Sequence, residues 1–228
     1  MRFQPSRTIA IAGVDSTTRS LALWLASLGW NIALVSDSEE KLSSAASEAQ
    51  GAVSSTNSGK VITETADLAN PASLTSALDW CVHQFGTKLD VLYFNVAATV
   101  ESNILDLAPQ TLERDLRVST VGTLAAGQWF SKNARTDRTQ GELSLFLVGG
   151  SFNERPFSAA EAAFKALARQ FAQALPAAAK IVVGVPVVAG KRQFKADEIV
   201  QRLLKPFFVE REMVGEDGAG WLVERVLE

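Results

Sequence analysis

The chain has 228 residues, 47% of them apolar and 21% charged, with a net charge of −3. That balance predicts a globular fold large enough to bury a core. It gives no electrostatic reason to expect nucleic acid or an anionic membrane as a partner. No apolar run approaches the ~20 residues of a membrane span. The start, Met1-Arg2-Phe3-Gln4-Pro5, leads straight into a strand-like run, without the apolar centre of a signal peptide. Cys81 is the only cysteine and His83 the only histidine. No internal disulfide is expected, and a reducing, cytoplasmic setting is. Two apart on a predicted helix, Cys81 and His83 point to different sides, which argues against a metal site.

Strands and helices alternate along the whole chain. Thr8 to Ala12 is a short apolar run ended by Gly13, and the next helix carries Leu21, Leu25 and Leu28, with Gly29 as its stop. Asn31 to Val35 is a second strand. Ser38 caps a helix whose first turn holds Glu39 and Glu40, as the helix dipole favours. Gly51 to Gly59 reads as a loop, and Val61 to Thr65 as a third strand. Leu74, Leu78, Cys81, Val82 and Phe85 recur at helical spacing. Leu89 to Phe94 is a fourth strand, Pro109 to Lys132 a long helix, and Leu143 to Val148 a fifth strand. Ser158 to Leu175 is helical and Lys180 to Val185 a sixth strand. Lys191 to Pro206 is basic, then helical, with Ile199, Leu203 and Leu204 on one face; Gly220 to Val223 fits an edge strand or a helix. The pattern predicts an α/β fold: one doubly wound, Rossmann-like domain over residues 1–228. Its mostly parallel sheet would have six or seven strands, with helices on both faces.

Ligands of such sheets bind beyond the carboxyl ends of the strands, near the switch in strand order. A dinucleotide-binding first turn needs glycines, so that the backbone can turn tightly and approach the pyrophosphate. Here that turn reads Ala12-Gly13-Val14-Asp15-Ser16-Thr17-Thr18-Arg19. Gly13 is available, whereas Thr17 and Arg19 would crowd the pyrophosphate. Arg19 can lie across its site, bind another anion at the helix N-terminus, or be solvated. The second strand ends in Ser36-Asp37-Ser38. Asp37 there would accept from a ribose hydroxyl and repel a 2′-phosphate, favouring NAD, or be a solvated turn residue.

Further motifs are Ala66-Asp67-Leu68, Phe94-Asn95-Val96-Ala97, Leu116-Arg117-Val118-Ser119, Val148-Gly149-Gly150-Ser151, Glu161-Ala-Ala-Phe-Lys165 and Val185-Pro186-Val187-Val188. As an ordered set from about Thr8 to Leu204, they resemble the short-chain dehydrogenase/reductase family. The resemblance implies that Asp67 lies beside an adenine and that Asn95 is the asparagine kept from Asn-Asn-Ala-Gly. It implies that Ser119 replaces an asparagine which kinks the fourth helix and positions a water. A glycine takes the catalytic serine's place, with Ser151 close by. The Pro-Gly turn after strand six lacks its glycine, and Glu161 replaces the catalytic tyrosine four residues before the retained Lys165. The one tyrosine of the chain is Tyr93.

In the resembled enzymes that tyrosine moves the proton accompanying hydride transfer, while the lysine lowers its pKa and holds the nicotinamide ribose. Glu161 and Lys165 are here either a structural ion pair or a repurposed acid/base pair. Three functions are expected in this order. The first is a cofactor-independent acid/base catalyst of isomerase, cyclase or lyase type, acting on a small organic molecule. The second is a non-catalytic protein that binds a small molecule or a subunit, and the third an atypical NAD(P)-dependent oxidoreductase. NAD(P) is expected to bind weakly or not at all, with Gly13, Asp37, Asp67 and Asn95 as a vestigial site. Trp24 and Trp30 are expected near the site. Val121, Leu124, Ala125, Phe164, Leu167 and Phe171 predict a homo-oligomer through helices 109–132 and 158–175.

Overall fold

A computed structural model of the chain describes residues 7–53, 59–95, 105–136, 143–149, 159–175, 180–188, 194–209 and 222–227. The side chains of residues 159–161 and 222 lie outside that description. The described residues form one seven-stranded sheet. Its strands are β1 (Thr8–Ala12), β2 (Asn31–Ser36), β3 (Val61–Thr65), β4 (Val91–Asn95), β5 (Ser144–Gly149), β6 (Ile181–Val188) and β7 (Leu222–Leu227). They lie in the order β3-β2-β1-β4-β5-β6-β7, and every neighbouring pair is parallel. The chain winds outward from β1 to β3, then returns to place β4 on the other side of β1. That reversal opens a crevice beyond the carboxyl ends of β1 and β4.

Both faces of the sheet are covered, which is why its strands read as apolar runs rather than alternating ones. In β1, Ile9 and Ile11 point to one core with Leu21 and Leu25 of α1 (Ser16–Ser27). Ala10 and Ala12 point to the other, with Leu74 and Leu78 of α3 (Pro71–Phe85). The first core also takes Leu42 of α2 (Glu39–Ala52), and the second takes Phe130 and Phe164. Ties at the amino end fix the register of the central strands. The Thr8 amide donates to Asp90 Oδ2 at 2.7 Å, and the Asp90 amide donates to Thr8 Oγ1 at 3.1 Å.

Three elements differ from the sequence expectation. The long helix is α4 (Pro109–Leu116), a π-helical turn Arg117–Gly122, and α5 (Thr123–Asn133), so one residue too many is absorbed mid-helix. The sixth strand runs on through Pro186 to Val188, because β7 pairs along it as far as Val188. Its proline lies beyond the last β5 partner, Gly184, where a missing amide breaks no β5 rung. The C-terminal ambiguity resolves as an edge strand, β7. The helix expected over Ser158 to Leu175 is α6 (Ala159–Ala174). The segment before β7 forms α7 (Ala196–Ile199), a π turn Val200–Leu204 and α8 (Lys205–Val209), with Ile199, Leu203 and Leu204 buried as their spacing predicts.

Candidate active site

The crevice holds a cleft lined by Gly13, Asp15, Ser36, Asp37, Lys41, Asp67, Asn95, Arg114 and Asp115, among others. Gly13, Asp37, Asp67 and Asn95, singled out from four separate stretches of sequence, are therefore brought together. Each sits at or just past the end of a strand: Gly13 after β1, Asp37 after β2, Asp67 after β3, and Asn95 ending β4.

Gly13 has a structural reason to be glycine. Its φ is +97°, and a Cβ there would lie 2.3 Å from the Asn95 carbonyl oxygen. Its amide donates to Val35 O at 2.8 Å, tying the turn to β2. Ser36 Oγ donates to Asp37 Oδ1 at 3.3 Å, and the Asp37 carboxylate is otherwise open to the cleft mouth. Asp67 Oδ1 accepts the Ala69 amide at 2.9 Å, a turn that holds the carboxylate at the cleft edge. Asn95 is 2% exposed. Its Nδ2 donates to Gly13 O at 3.3 Å and to Asp15 Oδ2 at 3.0 Å, while its Oδ1 accepts the Tyr93 hydroxyl at 3.2 Å. Tyr93 is fully buried, and burial, with the Asp15 carboxylate beside it, pushes its hydroxyl pKa well above the ordinary value. It is therefore a hydrogen-bond donor and no proton shuttle.

Asp15 went unread as a site residue in the sequence. It is the N-cap of α1, where its Oδ1 accepts the Thr18 amide at 2.8 Å and Thr18 Oγ1 accepts the Asp15 amide at 2.8 Å. The reciprocal capping pattern Asp-x-x-Thr was the signal available. Lys41, Arg114 and Asp115 were also missed. Lys41 stands only four residues after Asp37, but Arg114 and Asp115 reach the cleft from α4, which no local pattern announces.

Arg19 does not lie across the turn. Its guanidinium pairs with Glu48 and donates to Ser44 Oγ at 3.1 Å, both on α2. Thr17 is 5% exposed and packs inward. Trp24 and Trp30 are absent from the cleft's described lining; both pack edge-on to Phe208, with ring centroids at 5.8 and 5.6 Å. Lys165 is half-buried on α6 and is likewise not among the described lining residues. The Glu161 side chain, Gly150, Ser151, Val96 and Ala97 lie outside the described residues. Gly149 ends β5 opposite Asn95, and a Cβ there would meet Pro186 Cγ at 2.6 Å, so a serine at 149 would not fit without movement. Ser119 lies fully buried in the π turn between α4 and α5.

The short chain dehydrogenase family profile matches residues 7–189, well over half of the chain. This chain belongs to the short-chain dehydrogenase/reductase family. Solved structures agree on the fold. An alcohol dehydrogenase from the archaeon Thermococcus sibiricus, complexed with 5-hydroxy-NADP, is 17% identical with a TM-score of 0.73, over 97% of this chain and 96% of that one. A Serratia marcescens short-chain dehydrogenase/reductase is 24% identical with a TM-score of 0.73, over 97% of each chain. A Rhodopseudomonas palustris short-chain dehydrogenase is 17% identical with a TM-score of 0.71, over 97% of this chain and 99% of that one. No match was found among curated proteins.

These findings overturn the expectation that NAD(P) binds weakly or not at all. The family matched is one of dehydrogenases, and a structure of the same fold holds 5-hydroxy-NADP. The physical error lay in Arg19, whose side chain is taken up by α2 instead of filling the turn. The cofactor-independent form of the acid/base expectation falls with it. Among the described residues no helix is long and apolar enough to cross a membrane.

Proposed function

We propose that this chain is an oxidoreductase acting on a small organic molecule, and that it binds NAD, in preference to NADP, by the adenosine half in the cleft at the ends of β1, β2 and β4. The observation that carries the reading is the convergence of Gly13, Asp37, Asp67 and Asn95 on one cleft at the switch in strand order. Asp37, exposed after β2, would accept from the adenine ribose hydroxyls and repel a 2′-phosphate. Asp67 and Leu68 would flank the adenine. Bound nicotinamide supplies the hydride acceptor or donor.

The proton falls to Glu161, four residues before Lys165 on α6. In the oxidative direction the Glu161 carboxylate takes the hydroxyl proton of an alcohol as its carbonyl forms. In the reductive direction the carboxylic acid returns that proton to the oxygen. Lys165 follows one turn on along α6. Self-association through the π turn and α5 belongs to the same reading: Val121 of the turn and Leu124 of α5 are 41% and 39% exposed. Phe164 is not available for it, and Phe171 only in part. Phe164 is buried, and Phe171 packs on Phe146 with ring centroids at 5.8 Å.

A second reading keeps the Glu161 proton transfer without net hydride transfer, as in an isomerase, cyclase or lyase. The lack of any tyrosine except the buried Tyr93 favours it. One experiment separates the two. Panels of alcohols with NAD and of carbonyl compounds with NADH are followed by nicotinamide absorbance, and by deuterium uptake from solvent into the organic compound. The first reading predicts an absorbance change that Glu161→Gln reduces by ~10²-fold. Deuterium uptake with no absorbance change gives the second. Neither signal across the panels, or full activity in Glu161→Gln, removes Glu161 from the chemistry.

A further inference from the structure

Asp15 stands at the turn where a dinucleotide's diphosphate meets the N-terminus of α1. Its carboxylate is fixed rather than free to swing. Oδ1 accepts the Thr18 amide at 2.8 Å and Oδ2 accepts Asn95 Nδ2 at 3.0 Å. Asn95 is itself held by the Tyr93 hydroxyl at 3.2 Å and by Gly13 O at 3.3 Å. A helix start that would otherwise attract an anion therefore carries a negative charge of its own, and one of its donors is already used. The cleft does not offset that charge. Its described lining adds Asp37, Asp67 and Asp115 against Lys41 and Arg114. Arg19, the cation nearest in sequence, is paired with Glu48 on α2.

We infer that Asp15 is a specificity-determining residue, which ranks nucleotide ligands by the charge they bring to the N-terminus of α1. It favours a neutral nucleoside portion, such as an adenosine moiety, over a portion that presses phosphate onto the turn. This rests on the reading of the cleft as an adenosine site and adds to it the residue that sets the ranking. A dinucleotide is then gripped chiefly through its adenosine half, with α1 contributing less than an uncapped helix end would.

Calorimetric titration of the full chain with adenosine, ADP and NAD tests this in the wild type and in two variants. Asp15→Ser keeps a capping hydroxyl and removes the charge; Asp15→Asn keeps the shape and removes the charge. The quantity read is the ratio of the ADP to the adenosine dissociation constant, which cancels any general loosening of the cleft. The ratio should fall about tenfold in both variants, with ADP and NAD both tightening relative to adenosine. A ratio unchanged in either variant, with adenosine and ADP both binding, overturns the role of Asp15 and leaves the cleft reading standing. No saturable binding of any of the three ligands to any of the three proteins overturns the cleft reading and the inference with it.

Discussion

Arg19 of α1 and Glu48 of α2 form an ion pair across the two helices, and the same guanidinium donates to Ser44 Oγ at 3.1 Å. Both side chains are more than a third exposed, so solvent screens the pair. Arg19→Ala is expected to cost no more than about 1 kcal/mol in urea unfolding and to leave NAD affinity within about twofold. A large gain in affinity would place the guanidinium back over the phosphate turn.

Gly13 is the turn residue with no tolerance for a side chain. At φ +97°, with the Asn95 carbonyl 2.3 Å from any added Cβ, Gly13→Ala combines left-handed strain with a clash against backbone. The expected loss is roughly 2 kcal/mol or more by denaturant unfolding. NAD affinity should fall as well, because Asn95 and the turn must move together. A neutral substitution would contradict the geometry of the crevice.

Hydroxyls of the π turn and of Thr123, the first residue of α5, give a different test. Among the described residues the hydroxyls of Ser119, Thr120 and Thr123 have no hydrogen-bond partner, and Ser119 and Thr123 are 0% exposed. Thr123→Val keeps the shape and removes the orphaned group, so the melting temperature should rise, by an amount equivalent to about 0.5–1 kcal/mol. A fall would mean that a water satisfies the hydroxyl.

The sheet was legible because both of its faces are buried: Thr8–Ala12 is buried throughout, and such strands leave apolar runs in the sequence. The π turn was not, since an apolar spacing near 3.6 reads as one helix whether or not a residue bulges in it. Pro186 misplaced the end of β6 because a proline is excluded only where its amide is needed. In the cleft, Gly13 and Asn95 could be read from local motif spacing. The destination of Arg19 could not, because its partner lies 29 residues away on another helix.

Cys81 gives a pH test of the core. Burial pushes its thiol from 9.0 up to about 12, with Glu64 adding to the shift. The folded state keeps the proton between these values while the unfolded chain releases it. Stability from this group is therefore complete below pH ~9 and falls by ~1.4 kcal/mol per pH unit above it. Cys81→Ala should flatten that part of the stability profile. In the native wild type a thiol-specific disulfide reagent should react only on unfolding; rapid labelling of the folded protein would contradict this.

The central claim is that the crevice at the ends of β1, β2 and β4 is a dinucleotide site. Calorimetric titration with NAD and NADP, in the wild type and in Asp37→Ala, tests it most directly. Trp24 and Trp30 pack on Phe208 and are not among the described lining residues, so calorimetry reads the cleft more directly than their fluorescence. The account predicts saturable binding of one NAD per chain, tighter than NADP. Asp37→Ala should weaken NAD about tenfold and narrow its advantage over NADP. Absence of saturable binding, or NAD binding that Asp37→Ala leaves untouched, would contradict it.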